Sequence, residues 1–267
     1  MELNFLNDNM NKNLILIHGW GINSVVFNNI ATQLMDTANV CCLDLPGYGK
    51  NHSLDYSYDD YPEFMEKLHQ SLPKHCFVLG WSLGGLIALD YACRYQNDVS
   101  GLITVCSSPR FTELLDEDDE QHQIWNGVNE RTLKAFTRLL KPVNKDQVCD
   151  HFLALQAMGS PSIRQDIKSL RKALKDQVKP TYESLIMGLK LLSFLDLRDS
   201  CIKLEIPMLH CFGKYDRLVP TEDLVKYWYD NPQAKTKVFT KTAHNPFLSE
   251  SSDFIETVKS FINSVSN

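Results

Sequence analysis

Three residues in this 267-residue chain could together activate a hydroxyl group. Ser82 lies in Gly80-Trp81-Ser82-Leu83-Gly84, a G-x-S-x-G pattern in which a sharp strand-to-helix turn exposes the serine and flanking glycines keep bulk off a crowded backbone. A serine hydroxyl is a poor nucleophile at neutral pH, so it needs a base within hydrogen-bond reach and an acid to hold that base. Asp216, in Phe212-Gly213-Lys214-Tyr215-Asp216-Arg217, and His244, in Thr240-Lys241-Thr242-Ala243-His244-Asn245-Pro246, each follow a strand-like run. Both come after the serine, in the chain order Ser, Asp, His. Asp44 and His18 also end strands but precede it, and His18 is read as shaping its loop by hydrogen bonding. Taken singly, each of these residues is as well explained by a turn, a cap or a structural contact; it is the joint pattern that points to acyl transfer.

That chemistry also requires backbone N–H groups aimed where negative charge develops on the substrate oxygen. The amide of Leu83 follows the nucleophile at the start of a helix. The amide of Trp20 lies in His18-Gly19-Trp20-Gly21, where glycines on both sides let the chain turn inward.

The elements that must position these groups alternate. Apolar runs at 14–17, 39–43 and 76–80 read as strands buried on both faces, separated by helical stretches at about 25–35 and 58–72. Helix 83–95, strand 101–106, strand 208–212, a helix from Thr221, strand 236–240 and helix 254–265 continue the rhythm. This predicts an α/β class with a doubly wound, mostly parallel sheet. Between about 110 and 195 only helical periods appear, at 132–140, 146–158, 162–178 and 181–192. The expected organisation is a core of 1–109 and 196–267 with 110–195 inserted as a helical cap, or lid, over the sheet ends. The acidic run Glu113–Glu120 reads as a solvated face.

Composition is that of an ordinary soluble globular chain, with 43% hydrophobic and 22% charged residues and a formal net charge of -6. It gives no general reason to expect nucleic-acid binding, and neither a secretory leader nor a membrane span is visible. Eight cysteines in so long a chain, several in apolar runs, read as reduced core residues rather than a disulfide framework. No C-x-x-C or H-E-x-x-H spacing occurs, so no metal or cofactor is expected, and the expected setting is a cytoplasmic monomer.

The sequence as a whole resembles α/β-hydrolase-fold esterases, and more closely the pimeloyl-acyl-carrier-protein methyl ester esterases of biotin synthesis. The carrying motifs are His18-Gly19-Trp20-Gly21, Leu43-Asp44-Leu45-Pro46-Gly47-Tyr48-Gly49, Gly80-Trp81-Ser82-Leu83-Gly84-Gly85, Phe152-Leu153-Ala154-Leu155-Gln156-Ala157-Met158-Gly159 and Ala243-His244-Asn245-Pro246-Phe247. The Phe152–Gly159 segment is the discriminating one. The resemblance implies hydrolysis of a methyl ester at the far end of a pimeloyl chain held on acyl carrier protein. It further implies that Trp20, Ser82, Leu83, Phe152, Leu153, Ala154, Leu155, Gln156 and His244 line the substrate site. Read from the residues alone, Phe152, Leu153 and Leu155 could wall an apolar chain and Gln156 supply a polar contact, or the segment could be a core-facing stripe.

An acidic carrier partner would suit a basic helix face, and Arg164, Lys168, Arg171, Lys172, Lys175 and Lys179 recur at spacings of three and four. Arg164 and Lys168 match the family pattern, whereas Gln147 and His151 stand where that pattern has basic residues. Two other functions fit the same motifs: a broad short-chain carboxylesterase that ignores the carrier, and a non-catalytic protein retaining the fold.

Overall fold

The computed structural model describes residues 1–116 and 123–265. Glu117–Glu120 of the expected acidic face lie outside them. The chain opens with β1 (Asn13–Ile17), α1 (Asn28–Leu34), β2 (Asn39–Leu43), α2 (Tyr61–Ser71), β3 (Cys76–Trp81), α3 (Leu83–Tyr95) and β4 (Val99–Val105). It then forms β5 (Leu114–Leu115), β6 (Gln123–Trp125), α4 (Glu130–Leu139), α5 (Lys145–Ala157), α6 (Ile163–Leu174), α7 (Tyr182–Phe194) and α8 (Arg198–Cys201). β7 (Met208–Gly213), α9 (Thr221–Tyr229), β8 (Ala234–Phe239), α10 (Pro246–Ser249) and α11 (Ser251–Ser264) complete it.

Six strands form one sheet in the order β2-β1-β3-β4-β7-β8, every pairing parallel. The period-2 alternation of a strand divides the apolar runs between two faces. Ile15, Ile17 and Val78 pack with residues of α2, α3 and α9, while Leu14, Leu16, Phe77 and Leu79 pack with residues of α1 and α11. Burial on both faces explains why these strands are continuously apolar rather than alternating. The doubly wound class expected from the sequence is the one observed.

Some boundaries differ from expectation. The segment between β4 and β7 is not purely helical, because β5 and β6 pair antiparallel and Thr112 bridges Val128. Strands of two and three residues are too short for an alternation to register. The expected helix over 25–35 splits into a 3-10 turn, Ser24–Phe27, and α1. The helix expected over 162–178 ends at Leu174, so Lys175 caps it and Lys179 lies beyond it. The chain leaves β4 and returns to β7 along one seam: Leu197 N–H donates to the Pro109 carbonyl at 2.9 Å, and Asp196 pairs with both Arg110 and Arg198.

Candidate active site

β3 ends at Trp81, and Ser82 takes φ 55° and ψ -120° before α3 begins at Leu83. A positive φ is a strained state for a residue with a side chain, and here it is held by packing that only glycine permits. A Cβ at Gly80 would run into the Gly84 carbonyl oxygen, and one at Gly84 into that of Ile17 on β1. The Ser82 backbone is tied on both sides, its N–H donating to Val105 O at 2.9 Å and its carbonyl accepting from Ser107 Oγ at 2.8 Å.

His244 and Asp216 converge on this serine. His244 Nε2 lies 2.9 Å from Ser82 Oγ, and His244 Nδ1 lies 2.7 Å from Asp216 Oδ2. A carboxylate accepts, so the Nδ1–H donates to Asp216 and Nε2 is left to accept the serine proton. Asp216 is itself anchored, its Oδ1 accepting the Leu218 N–H at 2.8 Å and the Val219 N–H at 3.2 Å. The His244 backbone is clamped by the Trp81 indole, which donates to its carbonyl at 2.9 Å, and by its own N–H donating to Gln156 O at 3.3 Å. All three side chains follow the carboxyl ends of parallel strands, β3, β7 and β8. The triad is closed off from solvent: Ser82 is 2% exposed and His244 0%.

Trp20 sits beside it. Its indole Nε1 donates to Leu185 O of α7 at 2.9 Å, and its ring meets Phe152 of α5 edge-on at 4.8 Å between centroids. α7 reaches this close because its contact residue is Gly188, where a Cβ would lie 2.6 Å from Trp20 Cδ1. Gly21, at φ +73°, turns the loop, and its N–H donates to the Tyr48 hydroxyl at 3.3 Å. Leu83 opens α3, so its amide is one that a helix leaves without an internal partner. His18 plays the expected loop-shaping part: Leu45 N–H donates to its Nε2 at 3.0 Å, which leaves Nδ1–H to donate to Gly19 O at 2.8 Å. Burial lowers its pKa and keeps the ring neutral. Asp44 is taken up by the Ser24 and Lys50 amides, which it accepts.

The Phe152–Gln156 segment divides along its helix. Phe152 packs in the cluster that holds Trp20 and Leu83, whereas Leu153 joins the opposite cluster with Leu170 of α6. Gln156 is 1% exposed, and neither its Oε1 nor its Nε2 has a hydrogen-bond partner. Ala154 and Leu155 are half-buried, with no hydrogen bond or ring contact to the triad among the described residues. On α6, Arg164, Lys168, Arg171 and Lys172 are exposed, and Arg171 forks onto Asp150 at 2.9 and 2.7 Å.

Neither residue type nor spacing in the sequence sets Cys106 apart from the other core cysteines. Its buried thiol, on a residue at φ 46°, donates to Ala243 O at 3.7 Å. Its sulfur and one ligand atom each of Asp216 and His244 lie within 4.8 Å of one another. A metal there would have to displace the thiol proton, which burial holds on far more tightly than usual, and break the His244–Asp216 bond. The cluster therefore suits a proton relay better than a metal.

The chain belongs to the α/β hydrolase fold family, whose model matches residues 12–251. It is 38% identical over 248 residues to the pimeloyl-[acyl-carrier protein] methyl ester esterase of Vibrio atlanticus (strain LGP32), covering 93% of each chain. The protein of that name from Aliivibrio fischeri (strain ATCC 700601 / ES114) is 37% identical over 254 residues, 94% of each chain. Among solved structures, the esterase EaEST from Exiguobacterium antarcticum superposes with a TM-score of 0.76 over 98% of this chain and 94% of its own, at 24% identity. That likeness speaks for the fold.

Proposed function

We propose that the chain is a serine carboxylesterase that hydrolyses the methyl ester of pimeloyl-acyl carrier protein, releasing methanol and the free carboxylate. The observation that carries the reaction class is the continuous relay from Ser82 Oγ through His244 to Asp216, at 2.9 and 2.7 Å. The substrate is supported by the named relatives, which match nearly the whole chain.

In the first half-reaction His244 Nε2 takes the proton of Ser82 as Oγ attacks the ester carbonyl. Asp216 holds the imidazole tautomer and stabilises the imidazolium. The Leu83 and Trp20 amides receive the oxyanion; loss of one such donor typically costs about 100- to 1,000-fold in rate. His244 then delivers its proton to the departing methoxide. A water deprotonated by the same nitrogen attacks the acyl-enzyme, and Ser82 is restored as the acid leaves. Residues 110–195 act as the cap, with Phe152 walling the acyl chain and the unpaired Gln156 amide offering it a polar contact. Because the triad is buried, ester entry requires α5 and α7 to shift away from Trp20.

The carrier is received by the exposed cations of α6, chiefly Arg164, Lys168 and Lys172, in a protein otherwise acidic. A second reading, a generalist esterase for free short-chain esters, is favoured by Gln147, which carries no charge, and by Arg171, whose charge is matched by Asp150. Assay of Ser82→Ala on a short p-nitrophenyl ester tests the common core of both. Turnover is expected to fall to background with the fold intact by circular dichroism; full residual turnover would mean the relay is not catalytic and would favour a non-catalytic protein of this fold.

A further inference from the structure

Six of the eight cysteines have their thiol pKa pushed up above all by burial, Cys41 to about 11 and Cys42, Cys76 and Cys149 to about 12. Such thiols are poor nucleophiles and read as packing. One pair is arranged differently. Cys93, on the last full turn of α3, and Cys201, the last residue of α8, place their sulfurs 3.6 Å apart although 108 residues separate them in the chain. Cys93 is partly exposed and Cys201 buried. All eight thiols are free in this structure.

We propose that Cys93 and Cys201 form a dithiol–disulfide site, closed by hydrogen peroxide, that staples the helix following the nucleophile to the seam where the chain returns from residues 110–195 to the sheet. A disulfide bond is about 2.0 Å long, so closure asks each sulfur to move by less than about 1 Å. The accessible Cys93 is the thiol an oxidant meets first. Its thiolate attacks the peroxide and gives a sulfenic acid with release of water. Cys201 then attacks that sulfur, losing its proton, and a second water leaves as the disulfide forms. Two electrons pass to the peroxide in all.

The location gives the bond its consequence. α8 lies just past the Arg110–Asp196–Arg198 ion pairs and the Leu197–Pro109 hydrogen bond, interactions that hold the return seam by non-covalent means alone. α3 begins at the opposite end from Cys93, directly after Ser82. A link between them closes a long loop that encloses every element from β4 to α7, and long closed loops restrict the unfolded chain most.

The test is to treat the full-length protein with hydrogen peroxide and map disulfides by non-reducing proteolysis and mass spectrometry, with thermal melts before and after. The expected result is one linked peptide pair joining Cys93 to Cys201, a mass loss of two hydrogens, and a melting temperature raised by several degrees and restored by dithiothreitol. Cys93→Ser and Cys201→Ser proteins should each lose the linked pair and the shift. Sulfinic acid at Cys93 with no cross-link, or the same melting shift in Cys93→Ser, would overturn the proposal. Because the peptide map is read on the unaltered chain, poor folding of either variant leaves the result decisive.

Discussion

The two sides of the active site are built to different standards. On the sheet side the reacting groups are held: Asp216 accepts two backbone amides and the His244 ring, and the Ser82 and His244 backbones are each tied from two directions. On the side of α5 and α6, Gln156 is buried with both amide atoms unpaired, and the basic residues project into solvent. A relay that must hold geometry through two half-reactions benefits from pre-paid orientation. On the proposed reading, a surface that accepts and releases a long substrate on a protein carrier has polar groups left for it. If the proposed function holds, the contrast places rate on the sheet side and selectivity on the helices between β4 and β7.

The largest expected effect lies on the side of the relay. Asp216→Asn should retain the fold but lower kcat by about 10,000-fold, because an amide in place of the carboxylate no longer enforces the Nδ1–H tautomer. Steady-state kinetics on a free methyl ester measure this, and a loss below about tenfold would show that Asp216 does not orient the base.

Acid stability sharpens the comparison next. His210, in β7, the strand that Asp216 follows, is sealed between Thr104 at 2.7 Å and Trp228, stacked at 3.8 Å, and burial lowers its pKa from 6.5 to about 3. Between those values the unfolded chain binds a proton that the folded chain refuses, so stability rises with pH there. The contribution is complete above pH 6.5 and is lost as pH falls toward 3, by up to about 1.4 kcal/mol per unit. Urea denaturation of wild type and His210→Phe across pH 4 to 7 should show the steeper slope in wild type. Parallel slopes would place the acid-sensitive group elsewhere, His18 being the other buried histidine with a lowered pKa.

Charge reversal on the unpaired side should act on selectivity alone. Arg164→Glu with Lys168→Glu is expected to raise KM for a carrier-borne ester by about tenfold while leaving a free methyl ester unaffected. Equal effects on both substrates would favour the generalist esterase. The smallest effect concerns Gln156. Gln156→Met removes two unpaired buried atoms and should stabilise the fold by about 1 kcal/mol, visible in a denaturation curve, while raising KM a few-fold. A less stable protein would mean that the amide is satisfied in solution, for instance by water.

The sheet side was also the more legible in the sequence. Strands buried on both faces announce themselves as Leu14–Ile17 and Cys76–Leu79, Ser82 follows the second of these, and chain order then places Asp216 and His244 after the later strands. The other side depends on contacts between distant segments. Nothing around Gly188 signals that it makes room for Trp20, and nothing around Gln156 reports that its carbonyl meets the His244 amide. The basic spacing that runs on to Lys179 says where charge recurs but not where the helix stops. α6 ends at Leu174, and Thr181 caps α7, its hydroxyl accepting the Ser184 N–H. Likewise the free pair Cys93 and Cys201 is invisible in a count of cysteines, because only the packing of α8 on α3 brings it together.

One measurement bears most directly on the account: incubation of the purified protein with pimeloyl methyl ester on acyl carrier protein, and separately with the dimethyl ester of pimelic acid, following loss of the methyl group by mass. The account predicts conversion of the carrier-borne ester to the free acid, abolished in Ser82→Ala, with kcat/KM at least ~10-fold above that for the small diester through charge steering by α6. Hydrolysis of the small diester with the carrier-borne ester left intact would contradict it.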